Sequence, residues 1–529
     1  MALSYKRDKP NKDFDCIIIG SGMSGLALAA VLAKKGKKCL ILERHYTPGG
    51  FTHVFKRKRY EWDVGVHYIG EVHKEYTVLR KMFDYLSNKQ LKWAEMDENY
   101  DRIYFGKEAF DFIAGKENFI EKLIGYFPEE KEAIEKYIVL LKEASVASRN
   151  YFSEKALPSL VSKMVGNQMR KSALAFTRKT TKEVLSELTS NEKLIAVLTG
   201  QYGDYGLPPG QSSFLMHAMV AKHYLNGGAF PIGGSAQIFD TIEPVIEQAG
   251  GEVYTNAEVT EIVLKGGKAV GVKMADGVVI NAPKVISSIG THLTFNHLLA
   301  NESKTEKLKN KVEKIKPSAC HLCLYVGLNA SQEVLNLPQT NFWIYPEGGY
   351  DHDANFDNYL KDPDKYPFPL VYVSFPSAKD PSWASRYPER STVEILTLTN
   401  YEWFAKWEET RWHKRGEDYD THKEKLSQQL LSYLFDYLPH TKDYLEVYEL
   451  STPLSTKHFV NYQQGEIYGL DHTPDRFEQK ELRASTPIKN LYLTGQDIVT
   501  AGIGGALMSG IITASTILGK NVVKEIMSQ

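Results

Sequence analysis

Gly20, Gly22 and Gly25 stand in the spacing G-x-G-x-x-G, and Glu43 ends the apolar run that follows; such a set can hold the diphosphate and ribose of a dinucleotide. Gly20 allows a tight turn, Gly22 removes the side chain that would block a pyrophosphate, and Gly25 lets a helix lie close on the preceding strand. The helix start offers free N–H groups and the positive end of its dipole to phosphate. A carboxylate at Glu43 accepts hydrogen bonds from an adenosine ribose and repels a 2′-phosphate, which favours FAD or NAD over NADP. These residues need a strand, a glycine turn, a helix and a second strand, and the segment from Asp15 to Glu43 has that pattern.

Other chemistry is less well supplied. Cys320 and Cys323 form a C-x-x-C, but the segment around them reads as a strand, where an offset of three points side chains to opposite faces, and no second pair exists. Core packing is the expected role, as for Cys16 and Cys39, and no metal site is expected. No Ser-His-Asp pattern stands out. With 529 residues, 43% of them hydrophobic, the chain can bury a large core and should divide into two or three domains. Lys+Arg 64 against Asp+Glu 65 gives no global attraction to nucleic acid. The polar segment before the first strand lacks a signal-peptide core, and four cysteines make no disulfide framework, so a cytoplasmic address is expected, at most peripheral on a membrane.

Three separated stretches share nucleotide-domain character: residues 13–70, 231–289 and 490–529. The second carries a helix from Ser235 to Ala249, three short strands between Glu258 and Asn281 joined by glycine turns, and a buried strand from Lys284 to Ile289. The third carries a strand before Gly495 and the uncharged run Gly502 to Gly519, read as a buried helix rather than a membrane span. Residues 71–230 and 290–489 are assigned to a substrate domain. The fold class is α/β with α+β insertions: a Rossmann-like domain threaded discontinuously through the chain, an arrangement typical of large FAD enzymes.

At this point the residues resemble a known group. GSGMSG with Glu43, Pro48-Gly49-Gly50, WDVGVHYIG (Trp62 to Gly70), SFLMHAMVAKHYLNGGAFPIGGSAQI (Ser213 to Ile238), GEIYGLDH (Gly465 to His472) and LTGQDIVTAGIGGAL (Leu493 to Leu507) are similar to the retinol saturase and carotenoid isomerase branch of the phytoene desaturase-like flavoproteins, within the amine oxidase type of FAD fold. The resemblance implies FAD. It puts Gly20, Gly22 and Gly25 at the pyrophosphate and Glu43 at the adenosine ribose, and counts Ser24, Arg44 and Gly495 among the cofactor-binding residues. Gly49 and Gly50 let the backbone pass close to the cofactor, and Gly65, His67 and Tyr68 lie near the flavin. Val259 contacts adenine through its backbone, Asp497 serves the ribityl or pyrophosphate end, and the helix start at Gly504-Gly505 faces the flavin pyrimidine. Lys56-Arg57-Lys58-Arg59 departs from the usual hairpin; a solvated basic turn and an anion contact are both open readings.

The activity implied is saturation of a carbon–carbon double bond in a retinoid or related polyene, with desaturation or cis–trans isomerisation as alternatives, a non-enzymatic prenyl-lipid carrier as a third reading and an amine oxidase as a fourth. Saturation needs hydride on one carbon and a proton on its neighbour. The candidate proton donors are His67, Tyr68, Glu466, Tyr468 and His472. Only one complete dinucleotide fingerprint is present, so electrons come from NAD(P)H visiting the flavin or from a redox protein. The aromatic patch from Phe342 to Trp412 reads as core before tunnel wall. The segment Ser153 to Leu188, read as a helical hairpin rich in apolar and basic residues with few acids, fits either an anionic bilayer surface or a solvated face packed on the substrate domain.

Overall fold

In the computed structural model, which describes residues 2–300 and 302–528, six parallel strands from all three stretches build one sheet. Its order is Leu3–Ser4, Glu252–Thr255, Cys39–Leu42, Cys16–Ile19, Val285–Ser287 and Leu491–Leu493. Cys16–Ile19 and Cys39–Leu42 are buried at every residue, which is why they are apolar runs without alternation. Leu3–Ser4 pairs with Tyr254 and Thr255, so part of the polar leader read above as preceding the first strand is itself an edge strand. Gln529 lies outside the described residues, as do the side chains of Ser159 and Leu160, the latter within the apolar hairpin read above.

The helix Met23–Ala33 is buried along its whole length, between the sheet and the helices Gly502–Leu518 and Gln237–Gln248. Leu26, Leu28, Val31 and Leu32 are each essentially unexposed, worth roughly 1.5–3 kcal/mol apiece. Gly510 explains how Gly502–Leu518 comes so near: a Cβ there would stand 2.5 Å from the Ser24 carbonyl oxygen and 2.8 Å from the Ala27 Cβ. That helix is apolar on all sides because it is interior. Among the described residues no helix is long and apolar enough to cross a membrane.

A second, seven-stranded sheet draws on both insertions, in the order Leu445–Ser451, Cys320–Leu328, Ser391–Thr399, Val371–Ser374, Asn341–Tyr345, Asn99–Phe105 and Glu108–Ile113. It is antiparallel apart from the Asn341–Tyr345 and Asn99–Phe105 pair. Cys320 and Cys323 are both buried on it as free thiols. Of the aromatic patch, Phe342, Tyr401, Phe404 and Trp407 pack in the core on one side, whereas Trp343 faces the other. The period-2 alternation of the strand separates Phe342 from Trp343.

The hairpin expected within Ser153 to Leu188 is built differently. The helix Ser159–Thr177 packs against the preceding helix Lys131–Glu154, not against the short helix Thr181–Ser186. Two basic residues of the Ser153 to Leu188 segment are interior: Lys155 donates to the Leu482 carbonyl at 2.6 Å, and Arg170 lies 3.7 Å from Glu154, which also pairs with Arg483. Val161, Met164 and Val165 remain exposed, Met164 by 85%. In the basic hairpin, Val54–Arg57 and Tyr60–Asp63 form the strands; Lys56 pairs with Glu61 and Arg57 with Glu449, each at 3.1 Å.

Candidate functional site

A cavity of about 1140 Å³ runs between the two sheets. One end is walled by Gly20, Gly22, Glu43, Arg44 and Val259, the other by Trp343, Leu370, Tyr372 and Leu398. Each glycine of the fingerprint answers to a different constraint. Gly20 has φ +96°, and a Cβ on it would press within 2.8 Å of Ser288 Oγ. A Cβ on Gly25 would sit 2.4 Å from the Gly20 carbonyl oxygen, so this glycine seats the helix on the turn. Gly22 is different: a Cβ there meets nothing within 4 Å and would project into the cavity. Gly22 caps Met23–Ala33 with no side-chain hydrogen bond, leaving the first-turn N–H groups for a ligand. These residues fit a dinucleotide diphosphate.

Around that turn, Glu43 accepts from the Ser21 amide at 2.9 Å, from Ser21 Oγ at 2.7 Å and from the His45 amide at 2.8 Å. Ser24, Gly50, Gly65, Gly495, Gly504 and Gly505 also line the cavity. Gly505 has a packing reason too, since a Cβ would stand 2.2 Å from the Thr500 carbonyl oxygen. Gly49, at φ +108°, is set back from the cavity, as is Gly25. Asp497 is turned away as well: its carboxylate accepts from the Thr291 amide and hydroxyl at 2.8 and 2.9 Å and from the Leu470 amide at 3.0 Å. It braces the loops behind the cavity instead of facing into it.

His67, Tyr68 and Tyr468 line the cavity; Glu466 and His472 do not. Glu466 accepts from the Gln464 amide at 2.8 Å and so closes its own loop. His472 accepts the Ala501 N–H at 2.8 Å through Nε2, fixing the start of the helix Gly502–Leu518. Tyr468 donates to the Gly203 carbonyl at 3.3 Å.

His67 Nδ1 lies 2.7 Å from Glu394 Oε2. Burial pushes the imidazole down to about 3, with Lys379 adding to the push, and burial drives Glu394 well above the usual carboxylate range. The imidazole is therefore neutral at physiological pH, and His67 is no imidazolium proton source there. Glu394 also accepts from the Asp63 amide at 3.0 Å, and burial followed by the Glu394 charge raises Asp63 to about 7. Lys379, lowered to about 7 by burial, donates to the His67 carbonyl at 3.0 Å, to Ser374 Oγ at 2.7 Å and to Asn341 Oδ1.

Beside this group Tyr68 donates to Asp101 Oδ2 at 2.8 Å, with Asp204 Oδ2 at 3.3 Å from the same hydroxyl. Asp63 falls within the WDVGVHYIG piece without being marked there as a site residue, and Asp101, Asp204, Lys379 and Glu394 carry no motif; the local signal is a polar residue within an apolar, aromatic strand or turn. Among the described residues no cluster of three or more potential ligands is placed to hold a metal ion.

Comparison with known proteins adds a lineage. The family model for flavin containing amine oxidoreductases matches residues 23–518. The all-trans-retinol 13,14-reductase of Danio rerio is 36% identical, over 98% of this chain and 88% of that protein. The Homo sapiens protein of that name is 35% identical, over 99% and 88%. Among solved structures, wild-type putrescine oxidase shares the fold with a TM-score of 0.62 at 16% identity, over 97% of this chain and all of the other.

Proposed function

The chain belongs to the flavin-containing amine oxidoreductases, in the branch of the all-trans-retinol 13,14-reductases, and from that premise we propose that it uses FAD to saturate a carbon–carbon double bond of a retinoid or related isoprenoid polyene. The observation that carries the reading is one continuous cavity joining the glycine turn to a pocket walled by Trp343, Leu370, Tyr372, Leu396 and Leu398. A dinucleotide end and an oily end in a single chamber fit a flavin meeting an apolar substrate.

Bound FAD supplies the hydride. The chain's own part begins at Gly22 and the open helix start, which would take the diphosphate, while the Glu43 carboxylate would accept from the ribose. The start of Gly502–Leu518 lines the cavity, where its dipole would favour negative charge on a bound flavin. The apolar walls exclude water, so no competing proton donor reaches the polyene from solvent. Neutral His67, steadied by Glu394, offers a hydrogen bond to the cofactor or to a substrate hydroxyl.

The test is product analysis. Flavin-loaded protein, reduced with dithionite under argon and given all-trans-retinol or carotenoids, is expected to yield products heavier by two hydrogens. Products of unchanged mass with altered geometry would make it an isomerase, products lighter by two hydrogens from oxidised enzyme a desaturase. A colourless protein that still binds prenyl chains would make it a carrier.

A further inference from the structure

Asp204 is an acid with no assigned part. It ends the short turn Tyr202–Asp204, beside Gly203, where a Cβ would lie 2.7 Å from the Trp343 ring and 3.5 Å from Leu370. Four carboxylates line the cavity. Glu43 is held by Ser21 and His45, Glu71 is paired with Lys222 at 3.0 Å, and Glu258 is exposed to solvent. Asp204 alone sits against the aromatic wall at the oily end, and its partial exposure is to the cavity.

Its hydrogen bonding is lopsided. Asp101, next door, accepts from Asn341 Nδ2 at 2.9 Å, Gln201 Nε2 at 2.7 Å and Tyr68 Oη at 2.8 Å; burial raises it to about 6 against these three donors, which leaves the anion as its main form at neutral pH. The phenol has one proton, and the shorter bond to Asp101 takes it. Asp204 Oδ2, 3.3 Å from that oxygen, then faces a lone pair and must carry a proton itself to bond there. No other side chain among the described residues donates to it. Burial and the Asp101 charge both push its carboxyl well above the usual range, in agreement with the geometry.

Resting on the polyene-reductase reading, we infer that Asp204 is the proton donor, delivering H⁺ to the alkene carbon beside the one that receives hydride, with Tyr68 and Asp101 as positioning residues. The Asp204 O–H bond breaks and the π pair of the double bond forms one C–H bond. The hydride of the reduced flavin forms the other, leaving oxidised flavin and an Asp204 carboxylate. The carboxylate regains a proton from water when product leaves. Charge that builds on the polyene during protonation is spread along its conjugation, beside the aromatic faces of this wall.

Asp204→Asn and Tyr68→Phe, each loaded with FAD, test the assignment. Asp204→Asn should keep retinol affinity, read by quenching of protein fluorescence, within about threefold, while lowering the rate of double-bond reduction by on the order of 10²–10⁴. Its infrared difference spectrum against the unsubstituted protein at neutral pH should show the loss of one carboxylic-acid C=O stretch, a readout that needs no turnover. Tyr68→Phe removes the oxygen that accepts the Asp204 proton, a bond that favours the neutral acid, so the basic limb of its pH profile should move to lower pH. Asp204→Asn reducing retinol within about threefold of the unsubstituted enzyme, or losing no acid C=O stretch, overturns the inference. If the unsubstituted enzyme itself saturates no polyene, the functional reading has failed, and the infrared result still decides whether Asp204 is held as the acid.

Discussion

Gly22 and Gly25 are three residues apart and look alike in sequence, yet they do different work. Gly22 has an ordinary extended backbone, φ −62° and ψ 172°, and open space where a methyl would go. Gly22→Ala should therefore fold with a Tm within about 2 °C of the parent and lose flavin, because only the ligand meets the new carbon. Gly25→Ala drives a Cβ against the Gly20 carbonyl and should cost roughly 1–3 kcal/mol even in the apoprotein. Thermal melts of the apo forms beside flavin absorbance of the loaded forms separate the two; a yellow Gly22→Ala protein would refute the cofactor assignment.

At the scale of elements, Lys131–Glu154 and Ser159–Thr177 are tied by Glu154, whose carboxylate faces Arg170 and Arg483 while Ser162 donates to it. Glu154→Gln leaves two buried guanidinium groups without their anion, an expected loss of about 3–5 kcal/mol by denaturant unfolding. A loss under 1 kcal/mol would mean that the cluster is wetter than its burial implies. This tie also shows where sequence reading stopped. The strands Cys16–Ile19 and Cys39–Leu42, the helix between them and the glycine-linked strands from Val259 to Asn281 were legible because their signals are local: apolar runs, hairpin turns, a capping glycine. The pairing of Lys131–Glu154 with Ser159–Thr177 was not, since basic residues read as surface unless a distant partner such as Arg483 or Leu482 is known. The two-residue strand Leu3–Ser4 is too short to carry a period. The same limit applies to the site. The turn and Glu43 lie within one unit, whereas His67 meets Glu394 across 327 positions and Tyr68 meets Asp204 across 136.

For the molecule as a whole, the acids buried between the sheets make stability depend on pH. Asp63 is raised from 3.8 to about 7 when folded, so its contribution is full below pH 3.8 and is lost as pH rises through 7. About three units at 1.36 kcal/mol per unit set a ceiling of roughly 4 kcal/mol for that loss. Asp63→Asn cannot ionise and can still accept the Ser235 amide through its carbonyl oxygen, so its urea midpoint should fall less between pH 5 and pH 8 than that of the parent. Equal falls in both proteins would remove Asp63 as the cause.

The six-stranded sheet that carries the glycine turn joins Leu3–Ser4 to Leu491–Leu493, and its first helix is roofed by Gly502–Leu518. During synthesis the glycine turn therefore leaves the ribosome well before the helix that roofs it, with nearly all of the seven-stranded sheet emerging in between. The nascent chain has to keep its buried-to-be strands from aggregating until that helix is made, and the walls of the cavity close only then.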